Sequence, residues 1–361
     1  MVTAMAKDKL TNISADNVYI TYAGRIDFSN KKLPTFSYPG VTIKAKFKGS
    51  KIGFVLIEHG TGEIKTTNGF EIIIDDTLIS TLHLQPGRNK YLHTNALPYG
   101  EHAITLFKRT ESEVGKCSFE GFLIEEVDLL LITNLKTRNI EIIGDSWSCA
   151  YGNERAENPP KSGFDSKNEN NYMAWGAILS REFNVNYMCT AYSGRGLYRN
   201  GGGSTHGTLP LIYNRIFPNE ESPVWNHQNY KPDLILIHLG SNDFMLEAQT
   251  PPQMIDATKY VNTYIAFVKE LKTIHPQATV IMAFGNSKSD WWPVGLKSLT
   301  RWRSFMKEIQ QTLEKEGLKN VFEFELSTQK APYGEDWHPA IHTHKKIAEE
   351  LKPFVAEKMG W

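Results

Sequence analysis

A hydroxyl that attacks a carbonyl needs a base to take its proton and fixed donors to hold the oxyanion that forms. Four short polar clusters in this chain offer such groups. Gly144-Asp145-Ser146 follows the apolar run Ile140–Ile143, and Ser193-Gly194-Arg195-Gly196 follows Val185–Cys189. Gly240-Ser241-Asn242-Asp243 follows Leu234–Leu239, and Glu335-Asp336-Trp337-His338 follows Val321–Phe324. Each cluster alone reads as an ordinary loop. Together they contain a complete acyl-transfer set. Ser146 is the candidate nucleophile and His338 its base. The main-chain N–H groups of Ser146 and Gly194, with the side-chain amide of Asn242, are the candidate oxyanion donors.

These clusters need a scaffold that delivers them to one place. From Asn139 onward, strand-like runs alternate with helical ones. Leu234–Leu239 is continuously apolar, as a strand buried on both faces must be. Leu299, Trp302, Met306, Ile309 and Leu313 form an amphipathic helical stripe that stops at Gly317. Alternating strand and helix predicts a parallel, three-layer α/β sheet, in which ligands sit beyond the carboxyl ends of the strands. All four clusters fall at those ends.

The first 130 or so residues have a different rhythm. Val41, Ile43, Ala45 and Phe47 alternate with Thr42, Lys44, Lys46 and Lys48, which predicts a strand with one wet face. Gly49-Ser50 is expected to turn it into a hairpin with Lys51–Ile57. Short strands with regular turns predict an antiparallel sandwich. The expected division is a β-sandwich over residues 1–132 and an α/β domain over residues 133–361.

Composition removes several other classes. Lysine and arginine total 40, as do aspartate and glutamate, so nucleic acid or an anionic membrane is not expected as a partner. No apolar run has the length of a membrane span. The leading MVTAMAKDKL lacks the apolar core of a secretion signal, which leaves two placements: inside the cell, or outside it with a leader already removed. Three scattered cysteines do not make a disulfide framework. His338 and His342 are four apart, but no third ligand accompanies them, so no metal is expected there, and acyl transfer by serine and histidine needs neither metal nor organic cofactor. His342 and His344 read as exposed first-turn residues, and Gly201-Gly202-Gly203-Ser204 as a rim loop. Asp145 and Asp243 read as loop braces.

The blocks Gly144-Asp145-Ser146, Gly194, Gly240-Ser241-Asn242-Asp243 and Asp336-Trp337-His338 resemble those of the SGNH, or GDS-type, hydrolases. A sandwich of about 130 residues ahead of them, with SGRG and DWHP motifs, is similar to carbohydrate esterase family two. The Gly24–Phe28 run also resembles that family's sandwich. The resemblance implies an N-terminal all-β jelly roll joined to a flavodoxin-like hydrolase domain. It also implies removal of acetyl groups from plant polysaccharides such as xylan and glucomannan, often from a primary hydroxyl, with no cofactor. The partner expected is then an acetylated poly- or oligosaccharide; oligomeric state has no signature here. Aromatic faces suit sugar rings, so Trp337, Trp291 and Trp292 are candidate substrate contacts. Arg195 either lines the acyl pocket or pairs with a carboxylate.

The orienting acid is open at this stage. The wider SGNH pattern has an aspartate three residues before the histidine, where this chain has Glu335. Asp336 is the favoured acid, with Glu335 or a bare Ser–His dyad, its histidine held by a backbone carbonyl, as alternatives. Two rival functions also stand: a GDS-type lipase or thioesterase for longer acyl esters, and a carbohydrate-binding protein with a degenerate hydrolase half.

Overall fold

The computed structural model describes residues 10–60, 66–93 and 97–361, so the start of the leading segment read above lies outside the described residues. Among the described residues, eleven strands build two antiparallel sheets from the first third of the chain. They are β1 (Thr11–Ser14), β2 (Thr21–Ala23), β3 (Ile26–Asp27), β4 (Thr35–Phe36), β5 (Thr42–Gly49), β6 (Ile52–Glu58), β7 (Gly69–Ile74), β8 (Thr77–His83), β9 (Gly87–Leu92), β10 (Gly100–Lys108) and β11 (Cys117–Ile124). One sheet runs β3-β4-β11-β6-β9, with β1 also on β11; the other runs β2-β5-β10-β7-β8. Phe36, Phe47, Leu56, Phe70, Leu106 and Phe122 fill the space between them.

The expected hairpin at Gly49-Ser50 does not form. β5 pairs with β2 and β10, whereas β6 pairs with β11 and β9 in the opposite sheet. Each strand has a dense apolar face, and both faces find the shared core only if the chain crosses from one sheet to the other. The crossing needs Gly49 at φ +147°, and Glu125 accepts the N–H groups of Ser50 and Lys51 there.

The rest of the chain is a five-stranded parallel sheet with helices on both faces. Its elements are β12 (Asn139–Gly144), α1 (Ser146–Cys149), α2 (Trp175–Glu182), β13 (Asn186–Ala191), α3 (Leu209–Ile212), β14 (Leu234–His238), α4 (Ala257–Ile274), β15 (Thr279–Phe284), α5 (Ser298–Lys315), β16 (Val321–Glu325) and α6 (Ile341–Met359). Strand order is β13-β12-β14-β15-β16. Helices α4 and α5 pack their stripes (Val261, Phe267, Trp302, Ile309) on one face, and α2 and α6 (Trp175, Leu179, Ile347, Leu351) on the other. Among the described residues no helix is long and apolar enough to cross a membrane. The chain winds outward in opposite directions from β12 and β14, so the crevice beyond the ends of those two strands is where a ligand belongs.

Buried polar networks fasten the sandwich to the α/β half. Arg25, from the Gly24–Phe28 run, donates to the Glu141 carboxylate on β12 at 3.2 Å and to the Tyr213 carbonyl. Its guanidinium lies 4.7 Å from the Tyr213 ring centre. Arg109, just beyond β10, donates to Glu71 at 2.9 Å, to Glu154, and to the carbonyls of Lys167 and Glu169. A buried charge is tolerable only when paired in this way.

Candidate active site

The strand ends line up. Gly144 lies beside Ala191 of β13 and His238 of β14, so the segments that follow all emerge at one rim. Asp145 has extended backbone and caps α1 by accepting the Trp147 N–H at 3.1 Å. No side chain fits at Gly144, where a Cβ would lie 2.1 Å from Ser148 Oγ. This tight corner makes Ser146 the first helical residue and turns its hydroxyl to the rim.

Ser146 and His338 meet there. Ser146 Oγ is 2.8 Å from His338 Nε2. The other ring nitrogen, Nδ1, lies 2.9 Å from the main-chain carbonyl oxygen of Glu335. A carbonyl oxygen can only accept, so Nδ1 carries the proton and Nε2 presents its lone pair to the serine. Burial holds His338 below the ordinary imidazole pKa, partly countered by the Glu335 carbonyl and by the negative charges of Asp145 and Asp336.

The expectation that Asp336 touches the histidine is corrected by the structure. Its carboxylate accepts from Tyr151 Oη at 2.7 Å and from the Gly163 N–H at 3.0 Å. The reason is the backbone. Asp336 and Trp337 both lie in the left-handed region, at φ +49° and +65°, which swings the Asp336 side chain sideways and brings the Glu335 carbonyl under the ring. The Glu335 side chain is buried away from the imidazole, accepting from Asn168 Nδ2 at 2.6 Å and the Asp165 N–H at 3.2 Å. It packs on Gly152, where a Cβ would come within 2.4 Å of it.

Of the three expected oxyanion donors, the N–H groups of Ser146 and Gly194 have no acceptor among the described residues. Gly194 sits at φ +74° on the loop after β13. The Asn242 amide donates to the Arg195 carbonyl at 2.9 Å and to Asp145 Oδ2 at 3.2 Å. Ser241 Oγ also donates to Asp145, so Asp145 ties the β12 and β14 loops together. Asp243 accepts the N–H groups of Leu197, Tyr198 and Arg199 within 2.8–3.0 Å, and burial pushes its pKa up to about 6. Both aspartates are braces.

Trp337, beside His338, is exposed and lies near Tyr333. Trp291 and Trp292 are exposed in the loop after β15, on the same rim side of the sheet. Arg195 makes no ion pair among the described residues; its guanidinium lies 4.6 Å from the Tyr192 ring centre. His344 is not exposed as expected. It is fully buried, its Nδ1 accepts the first N–H of α2 from Trp175, and burial lowers its pKa to about 3. All three cysteines are buried and unpaired.

Two contributions carried no sequence signal. Tyr151 stacks on the His338 ring, with centres 4.3 Å apart, while its hydroxyl holds Asp336. Glu111, from the sandwich, accepts the Ser193 N–H and hydroxyl. Glu111, Cys149 and Glu169 have the donor types for a metal, with ligand atoms within 4.8 Å of one another. Their hydrogen bonds argue against that role: Glu111 already accepts from Ser193 and Cys149, and Glu169 accepts the Glu111 N–H at 2.9 Å.

A parallel α/β domain with Ser and His paired at its rim fits the acylhydrolase class, and residues 142–345, over half of the chain, match the GDSL-like lipase/acylhydrolase family. Residues 22–132 match the carbohydrate esterase 2 N-terminal family. A family two carbohydrate esterase from Clostridium thermocellum, solved with cellohexaose, superposes with a TM-score of 0.84 at 31% identity, covering 95% of this chain and 99% of that one. An acetylxylan esterase / glucomannan deacetylase of Cellvibrio japonicus is 27% identical over 354 residues, 97% of this chain and 91% of that protein. The cellulase/esterase CelE of Acetivibrio thermocellus is 34% identical over 350 residues; that match spans 96% of this chain but 40% of CelE. The chain belongs to carbohydrate esterase family two.

Proposed function

We propose that this chain removes acetyl groups from plant polysaccharides, with xylan and glucomannan as substrates, through a Ser146–His338 dyad. The observation that carries the reading is the 2.8 Å contact between Ser146 Oγ and His338 Nε2, with Nδ1 held by a carbonyl so that Nε2 is the free base. The names of the relatives supply the substrate class.

The steps follow from that geometry. As Ser146 Oγ bonds to the acetyl carbon, its proton passes to Nε2 and the carbonyl electrons move onto oxygen. The N–H groups of Ser146 and Gly194 receive this oxyanion, and one such donor is worth roughly 3–4 kcal/mol; the Asn242 amide, both of whose N–H groups go to the Arg195 carbonyl and Asp145, holds the rim loops instead. The imidazolium is steadied by the Glu335 carbonyl dipole at Nδ1 and by nearby aspartate charge. Collapse breaks the bond to the sugar oxygen, which leaves with the Nε2 proton. Water then gives a proton to Nε2, attacks the acetyl-serine, and the second collapse returns the proton to Ser146 and releases acetate. Trp337, Trp291 and Trp292 flank the site as sugar-stacking surfaces, and Arg195 lines the acyl side.

We read the sandwich as a jelly roll over residues 1–132 and the remainder, 133–361, as a flavodoxin-like domain, supported by the strand order β13-β12-β14-β15-β16. The test incubates the protein with acetylated xylan and with acetylated glucomannan and follows each acetyl signal by proton NMR. Acetate release that vanishes in Ser146→Ala is expected. Release that survives Ser146→Ala would overturn the mechanism. A preference for octanoate over acetate phenyl esters would move the protein to the lipase or thioesterase class.

A further inference from the structure

The loop that carries Gly194 is held from the sandwich side. Between β10 and β11, residues 111–114 press two carboxylates onto consecutive residues of the α/β half. Glu111 accepts the Ser193 N–H at 2.8 Å and the Ser193 hydroxyl. Glu113 accepts from Tyr192 Oη, which Asn219 also contacts. Beyond Ser193, the Gly194 carbonyl accepts the Gly201 N–H at 3.0 Å and the Arg195 carbonyl accepts from Asn242. The peptide between Ser193 and Gly194 is thereby fixed on both sides. Its N–H is left without a protein acceptor among the described residues. Glu111 also receives Cys149 Sγ–H from the helix that opens with Ser146, so one side chain touches both the nucleophile helix and the oxyanion loop.

We propose that Glu111 of the sandwich is a positioning residue for acyl transfer, setting the Gly194 N–H through its paired hydrogen bonds to Ser193. The inference rests on the Ser146–His338 reading of the site. Its charge environment suits the task. Glu111, Glu169 and Lys108 are all buried, and the ammonium donates to the carbonyls of Thr110 and Glu111. Two ionised carboxylates beside one ammonium would leave a net buried charge. One retained proton removes it, consistent with burial raising both carboxyl pKa values. A neutral or half-charged Glu111 still accepts from Ser193, so a glutamine can stand in for it.

The test measures kcat and KM with nitrophenyl acetate and with an acetylated xylooligosaccharide for Glu111→Ala, Glu111→Gln, Ser193→Ala and the Glu111→Ala/Ser193→Ala pair, with thermal melts of each. A misplaced oxyanion donor affects the transition state more than the bound ester. Glu111→Ala is expected to lower kcat about ten- to a hundredfold with KM changed less than threefold. Glu111→Gln should recover most of that loss, and the double variant should be no worse than Glu111→Ala, because Ser193→Ala removes a bond that Glu111→Ala has already removed. If Glu111→Ala does not fold, Ser193→Ala decides: a fall in kcat at constant KM supports the proposal, and unchanged kcat overturns it. Unchanged kcat in folded Glu111→Ala, or additive losses in the pair, overturns it as well. Ser146→Ala separates the two failures. Should it stay active, the dyad reading itself is wrong; should it be dead while Glu111→Ala is unimpaired, only the positioning role falls.

Discussion

The histidine's support separates a dyad from a triad, and Asp336→Asn is the perturbation that reads it. Were the Asp336 carboxylate the acid at Nδ1, replacing it with an amide would cost about 10⁴ in kcat, the loss seen when an orienting aspartate becomes asparagine in a serine protease triad. Here the carboxylate faces Tyr151 Oη and the Gly163 N–H, and Nδ1 faces the Glu335 carbonyl. Asparagine tolerates the left-handed backbone at φ +49° and can still accept from Tyr151. Exchanging a charge-assisted hydrogen bond for a neutral one costs about 1 kcal/mol. Losing a half-exposed negative charge near the imidazolium adds up to about 1 kcal/mol. The sum is about 2 kcal/mol, or roughly thirtyfold in rate. Steady-state hydrolysis of nitrophenyl acetate, with pH held on the plateau, measures it. A loss near 10⁴ with the fold intact would refute the carbonyl-supported dyad and restore Asp336 as the orienting acid.

Two more outcomes follow from the same geometry. Burial disfavours the imidazolium of His338, so its pKa lies below 6.5 and the neutral base persists into mild acid. The acid limb of kcat/KM should therefore fall only as pH drops through a value under 6.5; a midpoint of 7 or higher contradicts it. Arg25→Ala removes the guanidinium that faces Glu141 on β12 and leaves that carboxylate buried. A loss of about 3–5 kcal/mol in denaturant unfolding is expected, and less than about 1 kcal/mol would show that the pair is not what joins the halves.

The amino-acid sequence by itself determined the parallel sheet, the sandwich and the pairing of Ser146 with His338. Apolar runs of strand length, helical stripes and polar clusters at strand ends are local patterns, and local patterns survive in a linear text. The sheet crossing after Gly49 was not legible, since strands of identical alternation can pair with each other or with more distant partners. His344 read as exposed because its neighbours are polar, while its burial comes from α2 packing across it.

Tertiary structure alone decided what surrounds the catalytic imidazole. Two successive left-handed residues turned Asp336 toward Tyr151 and put a main-chain carbonyl at Nδ1, an exchange governed by dihedral angles that residue types do not specify. Tyr151 over the ring and Glu111 behind Ser193 are contacts across 187 and 82 positions. Such distances close only when separate elements pack, because side-chain reach is a property of space and not of order along the chain.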